Sequence, residues 1–212
     1  MENEFRSSPL ALAVLSLLHA APLHPYGMQR LLKQWGKDNV INVGQRANLY
    51  KTIRRLDEAG LIMVRQTERD QQYPERTVYE LTEAGRAATQ RWLTDMLARP
   101  RNEFPQFPAA LSVIMLLSPP EATAVLEQRA AALRRQLAGL EATLAEASFL
   151  PPVVLMDDDY QRTMYKAELA WLEGVIADVH SGKLTWSHED FADLAGNIQP
   201  SGEQDAGALS PE

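Results

Sequence analysis

Lys51, Arg54 and Arg55 stand three and four residues apart in a stretch that also holds Gln45, Arg46, Asn48 and Tyr50. Such spacing keeps side chains on neighbouring parts of one helix surface. Cations in that arrangement neutralise phosphates or reach guanine edges. Asn and Gln are the side chains that pair with adenine, and a phenol donates to a phosphate oxygen. Arg69 and Arg76 follow in a polar segment, where a minor-groove or backbone contact suits them. Each of these residues also has a plain reading. A charged helix face is usually only solvated, and Tyr50 could simply pack beside the apolar stripe of its helix.

Positioning those side chains requires a helix over 45–59, and the apolar pattern predicts one. Leu49, Ile53 and Leu56 recur at i, i+4 and i+7, opposite the cations. Gly60 stands where a left-handed C-cap is needed. Two β-rich runs follow, 61–67 and 77–81, joined by a polar loop over 68–76 that contains Pro74. Upstream, Ser8-Pro9 opens a helix over 10–20 that is apolar nearly all round, so burial is expected, partly against another chain. Pro22 ends it, and His24 to Gly27 forms a turn. A second helix then runs to about residue 35, offering Tyr26, Leu31, Leu32 and Trp35 to the core. Two short helices, a basic helix, a glycine and a hairpin form the order of a winged helix-turn-helix, whose third helix enters a major groove.

Several of these segments resemble the PadR family of transcriptional regulators. The resemblance rests on His24-Pro25-Tyr26-Gly27-Met28, on Asn48-Leu49-Tyr50, on Ile53 to Ile62, and on Arg76 to Arg86. It covers roughly residues 8–98. One departure concerns the start of the basic helix: Gly44-Gln45-Arg46-Ala47-Asn48 stands where relatives often carry a Ser-Pro-Gly-Thr-like run, so base preference should differ. The resemblance implies an N-terminal winged helix, a C-terminal helical dimerisation region, and commonly a repressor acting on double-stranded DNA. It also implies, for some relatives, a small-molecule effector near the dimer interface. Trp92, Phe104, Phe107 and Trp171 are the aromatics available to line such a cavity, though each is more often core.

The net charge of −7 is unevenly distributed. Residues 1–99 hold 14 Lys/Arg and 11 Asp/Glu, a balance of +3, whereas residues 100–212 hold 7 and 17, a balance of −10. Local charge is what a nucleic acid meets, and the cationic half permits that partner. There is no cysteine, which removes disulfide frameworks and thiolate chemistry and fits a reducing cytoplasm. The apolar run over 10–21 lacks a basic leader and is too short to span a bilayer. His19, His24, His180 and His188 show no metal-ligand spacing, and neither a P-loop nor a G-x-G-x-x-G run occurs. Asp157 to Asp159 are consecutive and do not converge on one ion; they suit a helix N-terminus. No enzyme, cofactor or metal site is expected.

Thr82 caps a helix reaching about residue 98, with Trp92, Leu93, Met96 and Leu97 on its apolar side and Gly85 in its first turn. Three prolines over 99–108 mark a linker. A short helix is expected over 109–117, stopped by Ser118-Pro119-Pro120. Over 121–148, Leu126, Ala130, Leu133, Leu137, Leu140 and Leu144 repeat at steps of four and three, a coiled-coil-like seam. Over 157–181 two adjacent stripes appear: Tyr160, Met164, Ala167 and Trp171, then Tyr165, Leu169, Leu172, Ile176 and Val179. Leu126, Leu133, Leu137, Leu140, Leu144, Tyr160, Met164, Trp171, Leu172 and Ile176 are accordingly the expected dimer interface.

The chain thus reads as mainly α with a small β-hairpin wing. A DNA-binding domain is expected over 1–98, a helical dimerisation domain over 99–195 and a disordered acidic tail over 196–212. The expected function is a homodimeric, sequence-specific transcriptional regulator on a pseudo-palindromic operator, in the cytoplasm. The alternative is a helical adaptor that uses the winged helix for protein contacts.

Overall fold

The computed structural model describes residues 5–37, 40–42, 46–70, 73–187 and 190, with the backbone alone at 67–70 and 73–76. The expected tail over 196–212 lies outside the described residues. The chain divides into two compact units, residues 1–102 and 103–212.

The first unit is built round α1 (Pro9–Ala20). Ser8 accepts a hydrogen bond from the Ala11 amide at 3.2 Å and Pro9 takes the first helical position, so the helix begins where its sequence predicts. Leu10, Ala11, Ala13, Val14, Leu15, Leu17 and Leu18 are buried, and α1 packs on its own unit's α3 (Arg46–Glu58), α4 (Glu83–Ala98) and β2 (Tyr73–Leu81). Its own chain therefore supplies the burial expected in part from a second copy.

α2 (Pro25–Gln34) is capped by His24, whose Nδ1 accepts from the Gly27 amide at 2.7 Å. Met28 and Leu32 face the core, whereas Tyr26 and Trp35, which the sequence sent there, are each more than half exposed. For Tyr26 the reason is phase, since it lies opposite the stripe of Met28 and Leu32; Trp35 keeps their phase but stands at the C-cap, one residue beyond the helix.

On α3, Leu49, Ile53 and Leu56 are essentially inaccessible. Each such burial contributes about 2 kcal/mol. Gly60, at φ +66°, ends the helix in a Schellman arrangement: the Leu61 amide bonds Leu56 O at 3.0 Å and the Gly60 amide bonds Asp57 O at 2.8 Å.

β1 (Ile62–Asp70) and β2 pair antiparallel, from Ile62 opposite Leu81 to Asp70 opposite Tyr73. Both strands run farther into the expected loop than β-propensity suggested, because ladder pairing carries polar residues along. The register shifts between Val64 and Gln66, leaving Arg65 at a bulge, where it pairs with Glu80 at 3.7 Å. Leu23 adds a third, one-residue strand: its amide and carbonyl each bond Tyr79 at 3.0 Å.

The second unit is helical. α5 (Gln106–Leu111) begins inside the expected proline linker, and a 3-10 turn (Ile114–Leu116) follows. The first of the two prolines after Ser118 starts the next helix rather than stopping the last one. α6 (Pro119–Glu146) carries Pro119 at its first position, and the Ser118 amide donates to Glu121 Oε2 at 2.9 Å. A second 3-10 turn (Pro152–Leu155) leads into α7 (Met156–His180). The ion pairs Arg134–Glu173 and Lys166–Glu141, both at 2.7 Å, and the approach of His180 to Glu127 at 3.8 Å climb the two helices in opposite directions, the mark of an antiparallel pair.

Candidate nucleic-acid interface

With Leu49, Ile53 and Leu56 turned inward, the 100° step of the helix fixes where the polar residues of α3 go. Ala47, Lys51 and Arg54 point farthest from the core. Arg46 and Tyr50 occupy one flank, and Asn48 and Arg55 the other. All of these are exposed, Tyr50 by half. Arg46, Lys51 and Arg54 have no ion-pair partner among the described residues. Arg55 differs from them. Its guanidinium lies 4.9 Å from the ring centre of Phe5, and Phe5 stacks on Trp92 at 5.5 Å with planes 22° apart. Arg55 is thus engaged by its own chain on the flank of α3. Gln45 and the side chains of Arg69 and Arg76 lie outside the described residues.

The wing is fixed against α3 by its base. Thr82 places its hydroxyl 2.8 Å from Gly60 O and 3.0 Å from Leu61 O, and accepts from the Gly85 amide at 3.0 Å. One side chain therefore ties the end of α3, the start of β1 and the first turn of α4. Tyr79, half-buried beside α3, has its phenol pKa raised from 10.0, chiefly by burial and next by the negative charge of Asp57.

The expectations missed one feature of this face. Tyr26, Arg30 and Lys33 lie at i, i+4 and i+7 on the outer side of α2 and, with Gln29, Gln34 and Arg46, line an open groove of about 760 Å³. The signal was present as a polar stripe at helical period, but assigning Tyr26 to the core hid it.

Residues 14–91 match the transcriptional regulator PadR-like family. That segment is PadR-like.

The solved structures agree at the level of fold. Bacillus subtilis PadR in complex with operator DNA is 22% identical, with a TM-score of 0.65 over 81% of this chain and 99% of that one. Bacillus subtilis PadR in complex with p-coumaric acid is 19% identical, with a TM-score of 0.62 over 82% and 99%. A PadR-like transcriptional regulator from Bacillus cereus is 15% identical, with a TM-score of 0.58 over 82% and 99%. A search of curated proteins returned no match. The mainly helical PadR-like fold with its two-stranded wing is therefore the architecture of this chain.

Outside the PadR-like segment, the residues expected at a dimer interface separate into two groups. Leu126, Leu133 and Leu172 are buried with Ala130 and Leu169 between α6 and α7 of the same chain, and Leu137 and Ile176 pack against that core. The heptad-like seam thus finds its partner within the chain, because a short connection brings α7 back along α6. Leu140 and Leu144 are half-buried. Tyr160, Met164 and Trp171 remain 66%, 48% and 45% exposed, and Met156 continues their stripe at 64%.

The aromatics proposed for an effector are placed separately within each unit. Trp92 is buried in the first unit's core against Phe5, and Phe104 is exposed at φ +50°. Phe107 packs edge-on to Trp171 at 6.1 Å, under the Arg129 guanidinium at 3.7 Å. Arg129 is itself held by Glu168 at 2.5 Å, so this cluster is internally satisfied. No group able to hold a metal ion occurs among the described residues, and no helix there is long and apolar enough to cross a membrane.

Proposed function

We propose that this PadR-like chain is a sequence-specific DNA-binding transcriptional regulator that acts as a homodimeric repressor on a pseudo-palindromic operator. The observation that carries the reading is α3: one face buried by Leu49, Ile53 and Leu56, the other offering Lys51 and Arg54 with Arg46 on the flank, and no carboxylate paired to these cations among the described residues. Unpaired cations projecting from a helix held beside a hairpin suit a phosphate-lined groove. Support also comes from Bacillus subtilis PadR, which has the same fold and whose structure holds operator DNA.

One winged helix neutralises few phosphates and binds weakly. Two copies related by a two-fold axis place their α3 helices in successive major grooves about 34 Å apart. The exposed stripe of Met156, Tyr160, Met164 and Trp171 on α7 is the surface we assign to that pairing. A small-molecule effector is part of the reading by analogy with the p-coumaric acid complex of Bacillus subtilis PadR alone, and no site is assigned to it.

A mobility-shift titration on the region upstream of the chain's own gene, at graded salt, tests the function. Binding that weakens with salt and localises to an inverted repeat in a footprint is expected. Failure to bind at every salt concentration, or binding indifferent to salt, removes DNA as the partner.

A further inference from the structure

We infer that Asp95 is a positioning residue for DNA recognition: its carboxylate clamps the chain where it leaves the first unit and so narrows the half-site spacings that a dimer accepts. The inference deepens the reading as a two-fold DNA-binding dimer and rests on it.

The clamp is one carboxylate held between two guanidinium groups. Asp95 Oδ1 lies 3.2 Å from Arg99, one turn on, and Asp95 Oδ2 lies 2.5 Å from Arg101, beyond the end of α4. The Arg99 amide also donates to Asp95 O at 3.0 Å. Pro100 stands between the two cations and fixes its own φ. Arg99, extended at φ −117° and ψ 109°, has the backbone that a residue before proline favours. Few conformations remain to such a segment, and the two ion pairs select one of them.

Nothing in α4 itself asks for an acid at this position. A carboxylate in the last turn of a helix opposes the macrodipole, and α4 has no basic residue in that turn to offset it. A single exposed ion pair would contribute little, but a half-buried carboxylate that occupies each oxygen with its own guanidinium forms a network. Residues 95–101 all belong to the first unit. There α4 is tied through Thr82 to the end of α3 and the base of the wing. Asp95 thus fixes the exit of the chain relative to the helix that carries Lys51 and Arg54. For two linked DNA-binding units, stiffness at the link concentrates the second unit at one spacing and dilutes it at the others.

The test compares Asp95→Ala and Arg101→Gln with the unaltered full chain, whose operator is first located by footprinting. Alanine suits a helix, so a thermal melt should show Asp95→Ala folded. Fluorescence anisotropy is measured on the operator, on a single half-site, and on an operator with its half-sites moved apart by about two base pairs, roughly a fifth of a turn. The unaltered protein should prefer the native spacing by about tenfold or more, and both variants should lose most of that preference. Asp95→Ala should bind the single half-site as before. Trypsin digestion of the folded protein gives a second readout, because Arg101 must leave Asp95 to enter the protease, and Pro100 protects the bond after Arg99. Cleavage after Arg101 should be faster in Asp95→Ala by about three- to tenfold. Equal cleavage rates, or a spacing preference unchanged in either variant or absent from the unaltered protein, overturn the inference, though the DNA reading stands. Weaker binding of Asp95→Ala to the single half-site also overturns it, since Asp95 would then act on the recognition unit itself. If the unaltered protein binds none of the duplexes, the DNA reading fails and the spacing role with it, and trypsin alone then reports the clamp.

Discussion

At Gly85 the space for a side chain is already taken. A Cβ there would stand 2.0 Å from Leu61 O and 2.7 Å from Leu81 Cδ1, because Thr82 pulls the first turn of α4 onto the base of the wing. Gly85→Ala should therefore destabilise the first unit by about 1–3 kcal/mol, read as a lower urea midpoint at unchanged slope, despite alanine's better helix propensity. A gain in stability would show that α4 is free to shift. Lys51 and Arg55 make a second residue-scale comparison. Lys51→Ala should lower the salt slope of DNA binding by about one. Arg55→Ala should leave that slope nearly intact and cost about 0.5–1 kcal/mol of stability through the lost contact with Phe5. Equal slopes for Lys51→Ala and the unaltered protein would exclude Lys51 from the phosphates. Tyr79 carries a pH prediction. Its raised folded pKa means that its contribution is complete below the ordinary value of 10.0 and is lost as pH rises through the folded value. Tyr79→Phe should accordingly lose less stability than the unaltered protein in urea titrations above pH 10.0.

For single elements, the sequence was legible wherever a periodic pattern met a local stop signal. α3 announced itself through Leu49, Ile53, Leu56 and Gly60, since all four act within the helix or one residue beyond it. α1 likewise began at its Ser8-Pro9 cap. Legibility failed where a neighbour decided. By sequence the prolines after Ser118 suit a stop, but the first position of a helix suits proline as well as its end does. Leu23 carries no strand pattern, and only the return of the chain beside Tyr79 makes it a bridge. The second unit shows the same limit on a larger element. Leu126, Leu133 and Leu172 had the correct period for helix packing, but period does not say which helix answers. Leu172→Asp should therefore abolish the α6–α7 core and unfold the second unit. Met164→Asp should leave circular dichroism unchanged and shift sedimentation toward monomer. A folded dimer of ordinary stability for Met164→Asp would show that the α7 stripe is not the pairing surface.

Over the whole molecule, charge is divided between the two units, +3 over residues 1–99 and −10 over 100–212. Acids in the second unit pair with Arg129, Arg134 and Lys166 along α6 and α7, while Arg30 and Lys33 on α2 and Arg46, Lys51 and Arg54 on α3 have no carboxylate partner among the described residues. An acidic protein can thus present a locally cationic face. Amino-acid order alone determined the helical phases, the wing, the end of α3 and the PadR-like character of the first half, because each depends on residues a few positions apart. Only the tertiary structure decided that the α6 seam closes within its own chain, that Arg55 rests on Phe5, and that Tyr26 faces a cationic groove. Those outcomes depend on which surfaces meet after the chain has folded back, and no local pattern encodes that meeting.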